Sequence, residues 1–239
     1  DQFVPHISTL PAIEGQKVGL FVRQKVLSSA RNGNMKGRVV LFVHGGSVSS
    51  VPGYDLDFKD YSWMAHFARA GFNTYTMDLS GYGASPRPMM DDPCNVEPEY
   101  QPLLHKGRPL TEPCKPRYPF ALNTIRDDWK EMDVVVDHLR RVNRVERIHI
   151  VGWSAGGPRV GGYVAQYPEK IDRVFLYAPT AAIAGTLPER PGPGFPMRIH
   201  PREELLKGSW DKDTRCPGPV SPGVQEAVCK YINDFDRIV

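Results

Sequence analysis

A serine with a glycine two positions away on either side, Gly152-Trp153-Ser154-Ala155-Gly156, is the stretch of this chain whose residue types and spacing most directly spell out a chemistry. An exposed serine hydroxyl can attack an electrophilic carbonyl carbon once a general base takes its proton. Gly-x-Ser-x-Gly alone is weak, since chance produces it in a chain of this length at about one in ten, given average residue frequencies. Here it follows the apolar run Arg147–Trp153 (RIHIVGW) and opens the helix-like stretch Ala155–Tyr167. In a strand-turn-helix setting a sharp turn strains the serine backbone and pushes its hydroxyl outward, while small residues on either side avoid a clash between strand and helix. The helix amino terminus adds oriented N–H groups. The competing reading is a Gly/Ser-rich turn of a nucleotide-binding sheet.

Two other clusters sit at strand ends. His44-Gly45-Gly46 follows Arg38–Val43 (RVVLFV), and Asp78-Leu79-Ser80-Gly81-Tyr82-Gly83-Ala84-Ser85 closes Phe72–Leu79 (FNTYTMDL). The one histidine after Ser154 is His200, within Arg198-Ile199-His200-Pro201, with Glu203, Glu204 and Asp211 as nearby acids. His6, His66, His105, His138 and His149 have no ligand spacing and default to surface or structural roles. Neither a glycine-rich dinucleotide fingerprint nor a metal-ligand cluster is evident, so no cofactor and no metal are expected.

The elements that must position these residues alternate between strand-like and helix-like from about residue 38 to 179, which predicts an α/β fold with a mostly parallel, doubly wound sheet. Val18–Leu27 reads as an antiparallel entry strand before an Asn32-Gly33 turn. Helices are expected at Lys59–Ala70, Asn123–Val142 and Ala155–Tyr167, with a further strand at Arg173–Ala178. Between Ser85 and Pro119, nine prolines in 35 residues exclude a regular helix or central strand and mark an insertion. Residues 1–179 thus form a core, and 180–239, rich in Pro, Gly and charge, a lid-like segment ending in an amphipathic helix at Val224–Ile238.

Composition narrows the classes. With 239 residues, 41% apolar, 24% charged, 10% aromatic and a net charge of +3, the chain suits one ordinary globular domain, and neither disorder nor nucleic-acid binding. No apolar run reaches the ~18 residues of a membrane span. Cys94 and Cys114 bracket one proline-rich stretch and Cys216 and Cys229 another, so the expected pairing is 94–114 and 216–229, in an oxidising compartment, against the alternative of four reduced thiols in a cytosolic protein. A start at Asp1 fits a secreted or periplasmic product freed of its signal peptide, or an artificial boundary.

In the order of these three clusters, over about residues 18 to 180, the sequence resembles the α/β-hydrolase family. The resemblance implies oxyanion donors at Gly46 or Ser47 and at Ala155, a loop-holding role for His44 and a turn-fixing one for Asp78. It also implies an acid and a histidine after the nucleophile, on loops following later strands. Only one further strand is evident here, so either a second polypeptide or a segment outside this sequence carries them, or His200 serves with Glu203, Glu204 or Asp211. A sheet stopping at residue 179 would leave an apolar edge uncovered, which favours the first account. The activity implied is hydrolysis of a small-molecule carboxylic ester, or of an amide, through an acyl-enzyme at Ser154. A non-catalytic binding protein of the same fold, or a lyase or perhydrolase using the same serine, are the alternatives, while an aspartate nucleophile is excluded by Ser at the elbow. Trp153, Tyr54 and Tyr82 could line a substrate pocket or simply pack. Leu187, Phe195, Met197, Leu205 and Leu206 would give the lid an apolar face over the serine.

Overall fold

The computed structural model describes residues 1–30, 35–87, 93–104, 112–180, 187–202 and 220–236. The Asn32-Gly33 turn, Glu203, Glu204, Leu205, Leu206, Asp211 and Cys216 fall outside them. Six strands, β1 (Gln2–Ile7), β2 (Lys17–Lys25), β3 (Val39–Val43), β4 (Asn73–Met77), β5 (Ile148–Trp153) and β6 (Ile171–Tyr177), form one sheet in the order β1-β2-β4-β3-β5-β6. β4, β3, β5 and β6 run parallel, and β2 joins β4 antiparallel. The sequence reading overlooked β1, which pairs antiparallel with β2 across Gln2↔Val22 to Ile7↔Lys17.

Alternation along β3 sorts its side chains onto two faces. Val39, Leu41 and Val43 join a cluster with Met132, Val135, Val136 and Leu139 of helix α4 (Ile125–Asn143) and with Val160 and Tyr163 of α5 (Gly156–Gln166). Val40 and Phe42 face the other way, toward Tyr54 of α1 (Ser50–Tyr54) and Met64 of α2 (Trp63–Arg69). A strand buried on both faces needs apolar residues at every position, which is why RVVLFV carries no polar alternation. Asp127, in the first turn of α4, accepts the Thr124 backbone N–H on Oδ2 at 2.9 Å and starts that helix where the sequence places it.

Among the described residues the proline-rich insertion holds a 3-10 turn at Pro93–Asn95 and one turn of helix, α3 (Gln101–Leu104), and it is cross-linked by Cys94–Cys114, as expected. The second expected bridge is not formed: Cys229 is a buried free thiol on α6 (Val224–Phe235). Its helix places it on the face packed inward, where a small apolar side chain suffices. Among the described residues no helix is long and apolar enough to cross a membrane. β6 forms the sheet edge on the β5 side, with Phe175 51% and its neighbour Leu176, which faces the other way, 41% exposed, so apolar residues on both its faces meet solvent.

Candidate active site

Ser154 sits at the junction of β5 and α5 with φ +53°, a left-handed conformation that costs a non-glycine residue energy and is held only where the surroundings over-determine it. Its N–H donates to Tyr177 O at 3.1 Å, and its carbonyl accepts from the N–H groups of Gly157 at 2.9 Å and Thr180 at 3.1 Å. The end of β6 therefore ties down the bend.

The flanking glycines are sterically required. A Cβ at Gly152 would lie 2.5 Å from the carbonyl oxygen of Gly156, and one at Gly156 would lie 2.5 Å from Val43 O and 2.8 Å from His44 O. The close approach brings the loop after β3 against the bend: the Cβ position of Gly45 is 3.0 Å from Ser154 Cβ, and that of Gly46 is 3.9 Å from Ala155 Cβ. Gly46, Ser47, Ser154 and Ala155 are thus gathered in one small region, with Ser47 exposed and also at positive φ, +64°.

His44 is fully buried, with its Nδ1 2.7 Å from Gly45 O and its Nε2 accepting the Leu79 N–H at 3.2 Å. Nδ1 therefore carries the proton. Burial, and then the Arg159 charge, push its pKa down to about 3, so the ring stays neutral and joins the loops after β3 and β4. Asp78 Oδ1 accepts the Ser50 N–H at 2.8 Å and Oδ2 the Ala84 N–H at 3.0 Å, while burial raises its pKa. Gly83 is obligatory beside it, since a Cβ there would lie 2.0 Å from Asp78 Oδ2.

Trp153, Tyr54, Trp63 and Tyr177 line a cavity of about 410 Å³ together with Val228 and Ile232 of α6. Tyr54 is anchored by its hydroxyl, which donates to Val43 O at 2.8 Å, and burial raises its phenol pKa. Tyr82 does not line this cavity; its ring packs 4.4 Å from that of His44, centroid to centroid. His200 lies 2.9 Å, Nε2 to Oγ, from Ser47, and among the described residues no histidine shares a hydrogen bond with the Ser154 hydroxyl.

Three features escaped the sequence reading. Arg159, in the first turn of α5, bonds Asp128 and the carbonyls of His44 and Gly45. Glu131 of α4, buried, accepts the Ser80 N–H at 2.9 Å, and burial pushes its pKa up to about 8. Helix α6 supplies one wall of the aromatic cavity. Arg159 left a trace as a cation at a helix end whose dipole disfavours it, and helix α6 itself was expected from its amphipathic pattern, though not its place in the cavity wall.

Residues 38–199 match the family described as the alpha/beta hydrolase fold. No curated protein matches the chain. Among solved structures, a thermophilic esterase from Thermogutta terrifontis is similar at 15% identity and a TM-score of 0.47, covering 76% of this chain and 47% of that one. A carboxylesterase from Nitrososphaera gargenis is similar at 16% identity and a TM-score of 0.40 over 69% and 43% of the two chains. An epoxide hydrolase from Vigna radiata is similar at 17% identity and a TM-score of 0.42 over 66% and 34%. The chain spans less than half the length of each of these three. With the matched region covering more than half of its residues, the chain belongs to the alpha/beta hydrolase fold family.

Proposed function

We propose that this protein is a serine hydrolase that cleaves a carboxylic ester through an acyl-enzyme at Ser154. The observation that carries the reading is the left-handed bend at Ser154, φ +53°, with the Gly45-Gly46 loop pressed against it. Ser154 Oγ attacks the ester carbonyl, and a general base takes its proton. The carbonyl oxygen gains negative charge and is held by N–H groups of Ala155 and of Gly46 or Ser47; the alcohol leaves, and water releases the acid. Each fixed donor is worth about 3 kcal/mol of barrier. Among the described residues the cavity walled by Trp153, Tyr54 and Val228 is lined by no charged side chain and suits an apolar acyl or aromatic group.

The catalytic acid and histidine are assigned to a second polypeptide, or a segment outside this sequence, that pairs with β6. The exposed apolar residues of that strand support this. Residues 180–239 act as the lid, supported by the place of Val228 and Ile232 in the cavity wall. Secretion or periplasmic export is supported by the Cys94–Cys114 disulfide. The rival assignment, His200 in cis, is favoured by its 2.9 Å approach to Ser47 on the neighbouring loop.

Hydrolysis of a panel of nitrophenyl esters by the purified protein, with Ser154→Ala as control, tests the activity. Turnover that is absent from a preparation containing the polypeptide or segment that completes the site, or that survives in Ser154→Ala, contradicts the proposal. Intact-mass analysis of the active preparation tests the partner: a copurifying polypeptide is expected, and a single 26.8 kDa species with full activity would return the base to this chain.

A further inference from the structure

Arg159 lies five residues past Ser154, yet its side chain turns inward and is 12% exposed, against an Asp128 side chain 5% exposed. Nε donates to Asp128 Oδ2 at 2.7 Å, while Nη1 donates to Gly45 O at 3.1 Å and to His44 O at 3.3 Å. Its guanidinium carbon is 5.9 Å from the centroid of the Tyr82 ring. One cation thus binds α4, the loop after β3 and the loop after β4 around the elbow.

The two carbonyls it holds decide how the loop's amides point. In a trans peptide the C=O of one residue and the N–H of the next lie on opposite edges of one plane. This chain has no cis peptide among the described residues, so pinning Gly45 O on Arg159 turns the Gly46 N–H to the opposite side. Pinning His44 O fixes the Gly45 N–H in the same way. Two consecutive glycines have little torsional preference of their own; Gly45 O also accepts the His44 Nδ1–H at 2.7 Å, and Arg159 is the anchor that reaches the same oxygen from α5, outside the loop. A donor can stabilise a developing oxyanion only if it is already aimed at it.

We propose that Arg159, anchored by Asp128, is a positioning residue for the oxyanion hole: it fixes the Gly45–Gly46 peptide plane and makes Gly46 N–H, in preference to Ser47 N–H, the loop's donor. This rests on the acyl-enzyme reading of Ser154. If the Arg159–Asp128 pair merely tied α4 to α5, its loss would lower stability and leave the discrimination between planar and tetrahedral ligands unchanged.

The test compares unmutated protein with Arg159→Lys and Asp128→Asn in the active preparation. Steady-state hydrolysis of a nitrophenyl ester is measured beside inhibition by an alkyl trifluoromethyl ketone, which forms a tetrahedral oxyanion on the serine. Arg159→Lys keeps the charge but cannot span the carboxylate and both carbonyls. It is expected to lower kcat by about 10- to 100-fold with KM changed by no more than about twofold, and to weaken the ketone by the same factor as kcat. Asp128→Asn, which keeps the guanidinium and loosens its anchor, should show the same pattern at smaller amplitude, and it carries the test if Arg159→Lys fails to fold. Variants that melt earlier but retain kcat and ketone affinity within about twofold overturn the inference. Unmutated protein that the ketone does not inhibit and a fluorophosphonate does not label overturns the acyl-enzyme reading and this inference together. Labelled unmutated protein with indifferent variants overturns the inference alone.

Discussion

His200 Nε2 lies 2.9 Å from the Oγ of Ser47, 153 residues earlier in the chain, so the one histidine after Ser154 is hydrogen-bonded to the neighbouring loop. An imidazole in that position joins the segment after residue 187 to the loop after β3. If the base comes from elsewhere, His200→Gln should reduce ester turnover by no more than about tenfold, since it removes a loop contact. Loss of a true general base costs about 10⁴-fold or more. Turnover by the purified variant distinguishes the two, and a loss of the larger size would make His200 the base.

Gly156 is wedged against the strand that precedes the His44 loop, with its Cβ position 2.5 Å from Val43 O and 2.8 Å from His44 O. Neither contact is the far end of a flexible side chain, so the backbone itself must shift to admit a methyl group. Gly156→Ala should destabilise the protein by about 3 kcal/mol or more, visible as a lower midpoint in urea unfolding. Alanine at Gly161, where nothing lies within 4 Å, should be nearly neutral and serves as the control.

Glu131 links stability to pH with a definite sign. Burial raises its pKa from 4.5 to about 8, so between those values the folded protein keeps a proton that the unfolded chain has lost. The stabilisation it contributes is complete below pH 4.5 and disappears as the pH rises through about 8. Glu131→Gln, which retains an acceptor for the Ser80 N–H, removes this dependence. The melting temperature of the unmutated protein should therefore fall relative to that of Glu131→Gln as the pH rises from 5 to 8, and parallel curves would contradict the assignment.

Val228 faces the cavity that Trp153 and Tyr54 also line. Filling it with Val228→Trp should lower kcat/KM for a nitrophenyl hexanoate about tenfold or more while leaving the acetate within about threefold, since the acetate does not extend far enough to meet the new ring. An unchanged chain-length preference across the ester panel would place the acyl group elsewhere.

The sequence made the central parallel strands and the Ser154 bend legible because their signals are local. RVVLFV and RIHIVGW are apolar at most positions, and Gly152 is required by a contact within the motif, whereas the need for Gly156 comes from Val43 and His44 on a distant strand and shows in the sequence only through the motif's spacing. β1 was missed because QFVPHI contains a proline and alternates weakly, and is a strand only through its pairing with β2. The roles of Arg159, Asp128 and Glu131 were hidden for the same reason: they lie in partners 30 or more residues away, such as the 31-residue separation of Arg159 from Asp128 and the 51 residues between Glu131 and Ser80. The spacing of Cys216 and Cys229 in turn suggested a bridge, but position 229 falls on the inward face of α6, where it serves as a small buried side chain.

The most direct test of the central claim is covalent labelling by a fluorophosphonate, with the modified peptide located by mass spectrometry. The account predicts one adduct per chain, on Ser154 Oγ, absent from Ser154→Ala and from denatured protein. An active preparation that carries no label, or that carries it on Ser47 or another residue with Ser154 unmodified, would contradict it.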